Sequence, residues 1–598
     1  MAAAKNVGFA YGFNVHDEDV AEWGGSRPDT TDIPEEGALV RDVIYGSNFV
    51  ASHLVHFYQL AALDFIDPLA ANLNKPPFCP RYGPPYNPGD PVYDYYYRVP
   101  TAGGTSGTTN MNVYLVAQYV LALQFRRMCN QIGAIWGGRA PFVQGLTAGG
   151  VATSVTQEAI DKTRELLYEG PGGTGTPSAP AAGTILKFIG NPTDFALFVN
   201  LEGGELDKLP IAGDGTSVYA GTHLFDVVAV AMLYPEYFWL GNAYERFLAY
   251  GVFEQGDPSN PIGDNRLLSR GRKITGAEYS TGSDWTSGWA VPNPSPPEWK
   301  PAIQGNVYEN ISSSWYRYGS GAWKHPWNGE TKPRPQKTTA YSWVKSPRYR
   351  DATDPGGFAY GLVPYEAGPL ARMQVNGNYY AGILYDAYVA NGVSPTIPIG
   401  PFAGVPFPRY GDPAPHLGAI FPGVGGLPNL AAYGLTYNGD SALDRYAARQ
   451  LECWKVANAM VGWLNRLETK VGNATSITRT PPADQFYTQS FGWTEAPRGA
   501  LGHWMKVSGP GPNQGKIEKY QCVVPSTWNA SPRDANGNPG PAEKAMEDVY
   551  VHDVNHPLEI LRVSHSWDFC TACAVHIVKP NKRGKKVEKI VHMDPTYL

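Results

Sequence analysis

The sequence predicts one large, mainly helical α+β domain. Three observations lead there. Several long stretches space their apolar residues at three and four; the middle of the chain is dense in Gly, Pro, Trp and Tyr without periodic runs; and no internal repeat divides the 598 residues. Length alone would suggest about three or four domains. The Gly/Pro/Ser-rich stretch 171–183 could be a linker but reads better as a surface insertion, and with no clear domain boundary residues 1–598 read as a single domain.

The elements follow in order. Residues 37–68 read as one long helix that Pro68 closes. Residues 108–136 predict a second helix, apolar on most faces and therefore expected inside a helix–helix core. Residues 158–170 form a third, stopped by the glycines after it. The Gly/Pro/Ser-rich segment 171–183 reads as a surface loop, because strand-like runs follow at once in TILKFIG (184–190) and DFALFVNL (194–201). From about 255 to 430 ordered loops and short strands are expected to cover the core, and helical periodicity returns over 444–472.

Composition excludes several classes. A net charge of −6 argues against nucleic acid as a partner, since phosphate binding needs a concentrated basic face. The one basic run, NKRGKKVEK at 581–589, lies at the C-terminal end and reads as a solvated tail. Six cysteines in so long a chain are no disulfide framework; a reducing environment or metal-held thiols fit better. The first residues lack the basic and apolar regions of a signal peptide, and the apolar run 223–240 is too interrupted to span a bilayer. The expectation is a cytoplasmic chain, or one that reaches a membrane only through partner subunits.

The chemistry concentrates in SHSWDFCTACAVHIV at 564–578. Cys570, Cys573 and His576 form C-x-x-C-x-x-H, two thiolates and an imidazole within one or two turns of backbone. Such donors suit nickel, iron or zinc. They cannot close a four-coordinate shell alone, so a metal site, a redox dithiol and a structural pair all remain open from these residues. A structural zinc would want a second pair, and Cys79, Cys129, Cys453 and Cys522 are each isolated.

The segment SWDFCTACAVH resembles the C-terminal signature of nickel–iron hydrogenase large subunits, in which an Asp precedes C-x-x-C-x-x-H. Further blocks resemble the family in the same order: NFVASHLVHFYQLAALD (48–64), RRMCNQIGAIWGGRAPFVQGLTAGGV (126–151), SPRY (346–349) with GPLAR (368–372), TEAPRGALGHW (494–504) and YQCVVPSTWNASPRD (520–534). The likeness runs from about residue 30 to 578.

The resemblance implies a nickel–iron centre whose iron carries carbon monoxide and cyanide, and an activity that cleaves or forms H2. Cys570 would be a terminal nickel ligand and the proton-accepting base, and Cys573 a ligand bridging nickel and iron. Arg498, held near Asp568, would hang over the open metal positions. Pro497 and Ser526 would contact the cyanides. His576, with the backbone carbonyl of Cys522, would bind a structural magnesium or iron. The thiols of Cys522, Cys79, Cys129 and Cys453 are expected to serve core packing. Electrons would pass to an iron–sulfur small subunit. Residues 577–598 would be a cleavable C-terminal extension.

The chain also departs from the family. The R-x-C-x-x-C motif that supplies two more thiolates belongs near GFAYGFNVH at 8–16, where no cysteine stands, and the glutamate normally found further upstream is absent. Ser52 occupies a position where many relatives carry an Asp, and His53 and His56 on the same helix are expected to pack or hydrogen-bond. A split or truncated hydrogenase subunit, completed by a short polypeptide carrying the missing Cys-x-x-Cys, is the expectation. The alternative is a non-catalytic structural subunit of a redox complex that has lost the metal site.

Overall fold

The computed structural model describes residues 2–10, 33–65, 111–190, 234–255, 266–274, 304–317, 323–351, 361–376, 438–472, 487–509, 511–547 and 557–570, with a few isolated residues between them. A short helix α1 (Ala2–Ala10) precedes the long α2 (Glu35–His56). Pro34 opens α2, and Glu35 and Glu36 place negative charge against the exposed N–H groups of its first turn. The helix loosens into a π-turn (Phe57–Ala61) and a 3₁₀ turn (Ala62–Asp64), so the regular helix ends earlier than the apolar pattern. Pro68, the expected stop, lies outside the described residues.

Helix α3 (Met111–Gly137) differs from expectation. Leu115, Gln118, Ala122, Phe125, Cys129, Ile132 and Trp136 form a buried stripe, whereas Val120 is 56% and Leu123 41% exposed. The helix packs along one face only. Helix α4 (Gln157–Arg164) is capped by Thr156, whose hydroxyl accepts the N–H of Ala159, and runs through a π-turn to Gly170 at φ 70°. The segment read as a strand, TILKFIG, is instead a single helical turn and a bit, α5 (Ile185–Ile189). Between the two, residues 171–183 lie on the surface in turns. DFALFVNL lies outside the described residues.

Helix α6 (Pro369–Val375) is short and fully buried, and α7 (Ala442–Glu468) is long. A capping box opens α7: the Ser441 hydroxyl accepts from Asp444 N, and the Asp444 carboxylate accepts from Ser441 N. Helices α8 (Pro525–Asn529), α9 (Pro541–Glu547) and α10 (Leu558–Ser566) follow. Helices α2, α3 and α7 form the helical layer. Gly46 lets α2 approach α7, since a Cβ there would sit 3.0 Å from the Trp463 ring and 3.1 Å from Met460.

The strands form a second layer with its own aromatic core of Tyr250, Trp327, Tyr349, Tyr365, Phe491, Trp493, Trp504 and Trp528. Strands β1 (Leu146–Thr147) and β2 (Gly150–Val151) make a small hairpin, and β3 (Arg246–Val252) pairs with β4 (Leu268–Ile274). A four-stranded sheet runs β6 (Trp323–Lys324), β5 (Val307–Asn310), β7 (Ser346–Arg350), β8 (Leu362–Val363). An antiparallel meander joins β9 (Gln489–Ala496), β10 (Gly499–Val507) and β11 (Ile517–Val523). Tyr250 of β3 stacks on Trp493 of β9, centroids 3.7 Å apart, a contact of about 1 kcal/mol beyond its buried area. Helix and sheet are therefore combined as the α+β reading requires. Among the described residues no helix is long and apolar enough to cross a membrane.

Candidate metal centre

The tip of the β9–β10 hairpin meets the end of α10. Ala496 pairs with Gly499, leaving Pro497 and Arg498 as a two-residue turn. On the other side, Trp567 closes α10 and Asp568 takes φ 52°, the left-handed conformation that turns a chain out of a helix and that Asp tolerates better than most residues. That turn presents Asp568 to the hairpin, and Arg498 Nε donates to Asp568 Oδ1 at 3.2 Å. The pair is asymmetric: the Arg498 side chain is 38% exposed and that of Asp568 only 3%.

Two residues on, the backbone N–H of Cys570 donates to the hydroxyl oxygen of Ser526 at 3.0 Å. Ser526 is buried at the start of α8, directly after β11. Because that oxygen accepts, its own proton is left to donate. Cys570 is half-buried.

Charge around the site is supplied from beneath by α7, which sets Arg445, Arg449 and Glu452 on one face. Arg445 forks onto both oxygens of Glu366 at 2.9 Å and lies 3.6 Å over the Trp567 ring. Arg449 donates to the carbonyl of Ser566 at 3.2 Å, and burial pushes its guanidinium down to about 10. Burial alone would raise the Asp568 carboxyl; His56 and the Arg498 and Arg449 guanidiniums hold it below its ordinary value. The lasting part comes from the arginines, since burial and Arg449 push His56 itself down to about 3 and leave it neutral. Asp568 Oδ2 is buried with no hydrogen-bond partner.

The expectations for the two helix histidines hold. His53 Nε2 lies 2.9 Å from Glu452 Oε1, and His56 Nε2 donates to the carbonyl of His565 at 2.7 Å. His565 Nδ1 in turn meets Asp64 Oδ2 at 2.6 Å. Ser52 is half-buried, next to this cluster in the chain. One expectation fails. Cys522 sits on β11 opposite His503 with its side chain exposed, so its thiol packs no core; an edge strand with both faces open offers it none. Cys129 and Cys453 do pack the helical core, and burial pushes the Cys129 thiol up to about 12. Cys79, Cys573 and His576 lie outside the described residues, as do residues 577–598.

The family scan matches a nickel-dependent hydrogenase model to residues 29–78, 92–169, 215–382 and 430–576. The chain belongs to the nickel-dependent hydrogenase family. It is 27% identical over 550 residues to the periplasmic [NiFeSe] hydrogenase large subunit of Desulfomicrobium baculatum, covering 91% of this chain and 79% of the relative. The Escherichia coli hydrogenase-2 large chain is also 27% identical, covering 92% and 83%. Among solved structures, the H2-activated [NiFeSe]-hydrogenase of Dm. baculatum superposes with a TM-score of 0.55 at 25% identity, over 96% of this chain and 86% of that one. Family membership makes the chain a hydrogenase large subunit and an oxidoreductase built around a nickel–iron centre.

The described residues fit one side of such a centre. Cys570 offers a soft thiolate, Asp568 two residues before it carries an orphaned buried oxygen and holds the part-exposed Arg498, and Ser526 adds a hydroxyl donor. Among the described residues no group of three or more His, Cys, Asp or Glu is arranged to hold a metal. No motif announces Arg372, Glu452 and Glu495, although Arg372 lies in GPLAR and Glu495 in TEAPRGALGHW; charges set among buried positions are the one signal that could find them.

Proposed function

We propose that this chain is the catalytic large subunit of a nickel–iron hydrogenase in which Cys570 and Cys573 supply two of four thiolates and a separate short polypeptide supplies the others. The observation that carries the reading is the convergence of Cys570, Ser526 and the Arg498–Asp568 pair at one place in a chain of this family. When bound, the bimetallic group would supply Lewis acidity and a site for the hydride half of H2. Cys570 Sγ is the base that would take the proton, a thiolate being suited to that task. Asp568, two residues before Cys570, holds the Arg498 guanidinium in orientation. The Ser526 hydroxyl and Pro497 would contact the cyanides. His576 and the Cys522 carbonyl would hold a magnesium or iron ion. An iron–sulfur small subunit receives the electrons.

The second polypeptide is supported by where the described thiols lie. Cys129 and Cys453 are locked in the helical core, and Cys522, near the end of β11 four residues before Ser526, has its thiol turned to solvent. The test is purification of the complex from its native host, followed by H2-dependent dye reduction and mass spectrometry of every subunit. Activity together with a subunit carrying R-x-C-x-x-C supports the reading. Activity with no thiol pair outside this chain sinks the second polypeptide; an inactive, intact complex sinks the hydrogenase assignment.

A further inference from the structure

Arg372 of α6 uses all five of its N–H donors, and its targets point to a task. Nε and one terminal nitrogen fork onto Glu452 at 2.8 and 2.5 Å. The other terminal nitrogen donates to Glu495 Oε2 at 2.7 Å and to the carbonyl of Ala496 at 3.0 Å. The nitrogen facing Glu452 also donates to the carbonyl of Pro497 at 2.8 Å. Arg372, Glu452 and Glu495 are all fully buried. One guanidinium therefore ties α7, the end of β9 and the turn that carries Arg498.

That turn needs outside support. Two-residue hairpins favour backbone turns with positive φ at their first central residue. Pro497 occupies that position, and its ring holds φ near −65°. Strands joined by such a turn splay, and the carbonyls at the tip lose regular partners. Gly499 at φ 136° and Gly368 at φ 132° relieve the crowding where the turn meets the start of α6: a Cβ on Gly499 would sit 2.8 Å from Gly368 N. Arg372 caps the freed carbonyls of Ala496 and Pro497.

The cap is itself held in place. Glu452 also receives His53 Nε2, and the second oxygen of Glu495 accepts the Tyr250 N–H at 2.5 Å. Arg372 lies 5.2 Å over the Phe49 ring, so it cannot swing toward α2. A lysine here could satisfy at most three of the five contacts and would lose the planar fork.

We propose that Arg372, locked by Glu452 and Glu495, is the positioning residue for Arg498: it sets the tilt of the Pro497–Arg498 turn over Cys570. This rests on the reading of Arg498 as part of the hydrogenase site. Arg372 touches no reacting atom; it acts through two backbone carbonyls. A displacement of Arg498 by about 1 Å is of the size that costs roughly a hundredfold in rate.

The experiment compares the intact complex with Arg372→Lys and Glu495→Gln, the latter keeping the volume and leaving four Arg372 contacts in place. Two quantities are read: amide hydrogen exchange across residues 489–507, and H2-dependent turnover divided by the amount of iron carbonyl seen in the infrared. A role confined to folding lowers the amount of assembled centre but not turnover per centre. The proposal expects faster exchange confined to the hairpin and turnover per centre lowered about tenfold to a hundredfold for Arg372→Lys, with a smaller loss of the same kind for Glu495→Gln. Unchanged hairpin exchange in both variants overturns it, as does wild-type turnover per centre in both. A wild-type complex without carbonyl bands overturns the hydrogenase reading instead, while the exchange data still decide whether Arg372 holds the turn.

Discussion

Two arginine–carboxylate ion pairs, Arg372–Glu452 and Arg498–Asp568, stand side by side, and they behave differently. In the helical layer, Arg372 and Glu452 are fully buried, doubly bonded and closed off by His53. At the hairpin tip, Arg498 meets Asp568 through a single longer contact with more than a third of the Arg498 side chain open. The Glu452 carboxyl, which burial alone would raise, is held down to about 2 by Arg372 and His53, whereas burial pushes Glu495 up to about 7 against the opposing pull of Arg372. The contrast teaches what each layer contributes. Closed pairs fix backbone; the open pair leaves donors free for what binds beside Cys570.

Substitutions can separate the two roles. The largest effect is expected at the thiolate: Cys570→Ser in the intact complex should bring H2-dependent dye reduction down to background, and an active variant would remove Cys570 from the site. Next, Arg498→Lys should lower turnover by about a hundredfold while the melting temperature stays close to wild type, because only the open side of the pair is touched. The mirror change, Glu452→Gln, leaves Arg372 short of a buried partner and should cost about 3–5 kcal/mol in denaturant unfolding. If Glu452→Gln were neutral for stability and Arg498→Lys were the destabilising one, the division between layers would be reversed.

A smaller effect concerns pH. His56 is held neutral in the folded chain with its pKa down near 3, while the unfolded chain titrates near the ordinary 6.5. The contribution of this group to stability is full above 6.5 and is lost as pH falls toward 3. Between pH 6.5 and 5 the wild type should therefore lose about 2 kcal/mol relative to His56→Gln, read as a widening gap between the two unfolding curves. A constant gap would mean that His56 is not held neutral. The smallest expected effect is Leu123→Ser on the open face of α3, which should leave the stability of the isolated chain within about 0.5 kcal/mol.

Legibility in the sequence followed burial geometry. Helix α4 buries one face, whereas α2 and the first half of α7 are buried nearly all round; in all three, apolar residues recurring at three and four announce the helix. Helix α3 carries Val120 and Leu123 on its open side, and those residues made it look buried all round. The TILKFIG run is too short for its period to decide between strand and helix, and Gly190 stops it after about one turn. Strand β9 is buried on both faces from Ser490 to Glu495, which erases the alternation that marks a half-buried strand. The site divides the same way. Cys570, Asp568, Arg498 and Ser526 are legible as candidates because they sit in contiguous motifs. Glu452 and Glu495 lie 80 and 123 residues along the chain from Arg372 and meet it only through the fold.

The central claim is that a nickel–iron centre assembles on Cys570 beneath Arg498, with half of its thiolates coming from another polypeptide. An infrared spectrum of the complex purified from its native host tests this most directly, because iron-bound carbon monoxide and cyanide absorb where protein does not. The account predicts those bands, accompanied in the same preparation by a subunit bearing a Cys-x-x-Cys pair. A spectrum without them, from a complex whose subunits are all present, would contradict it.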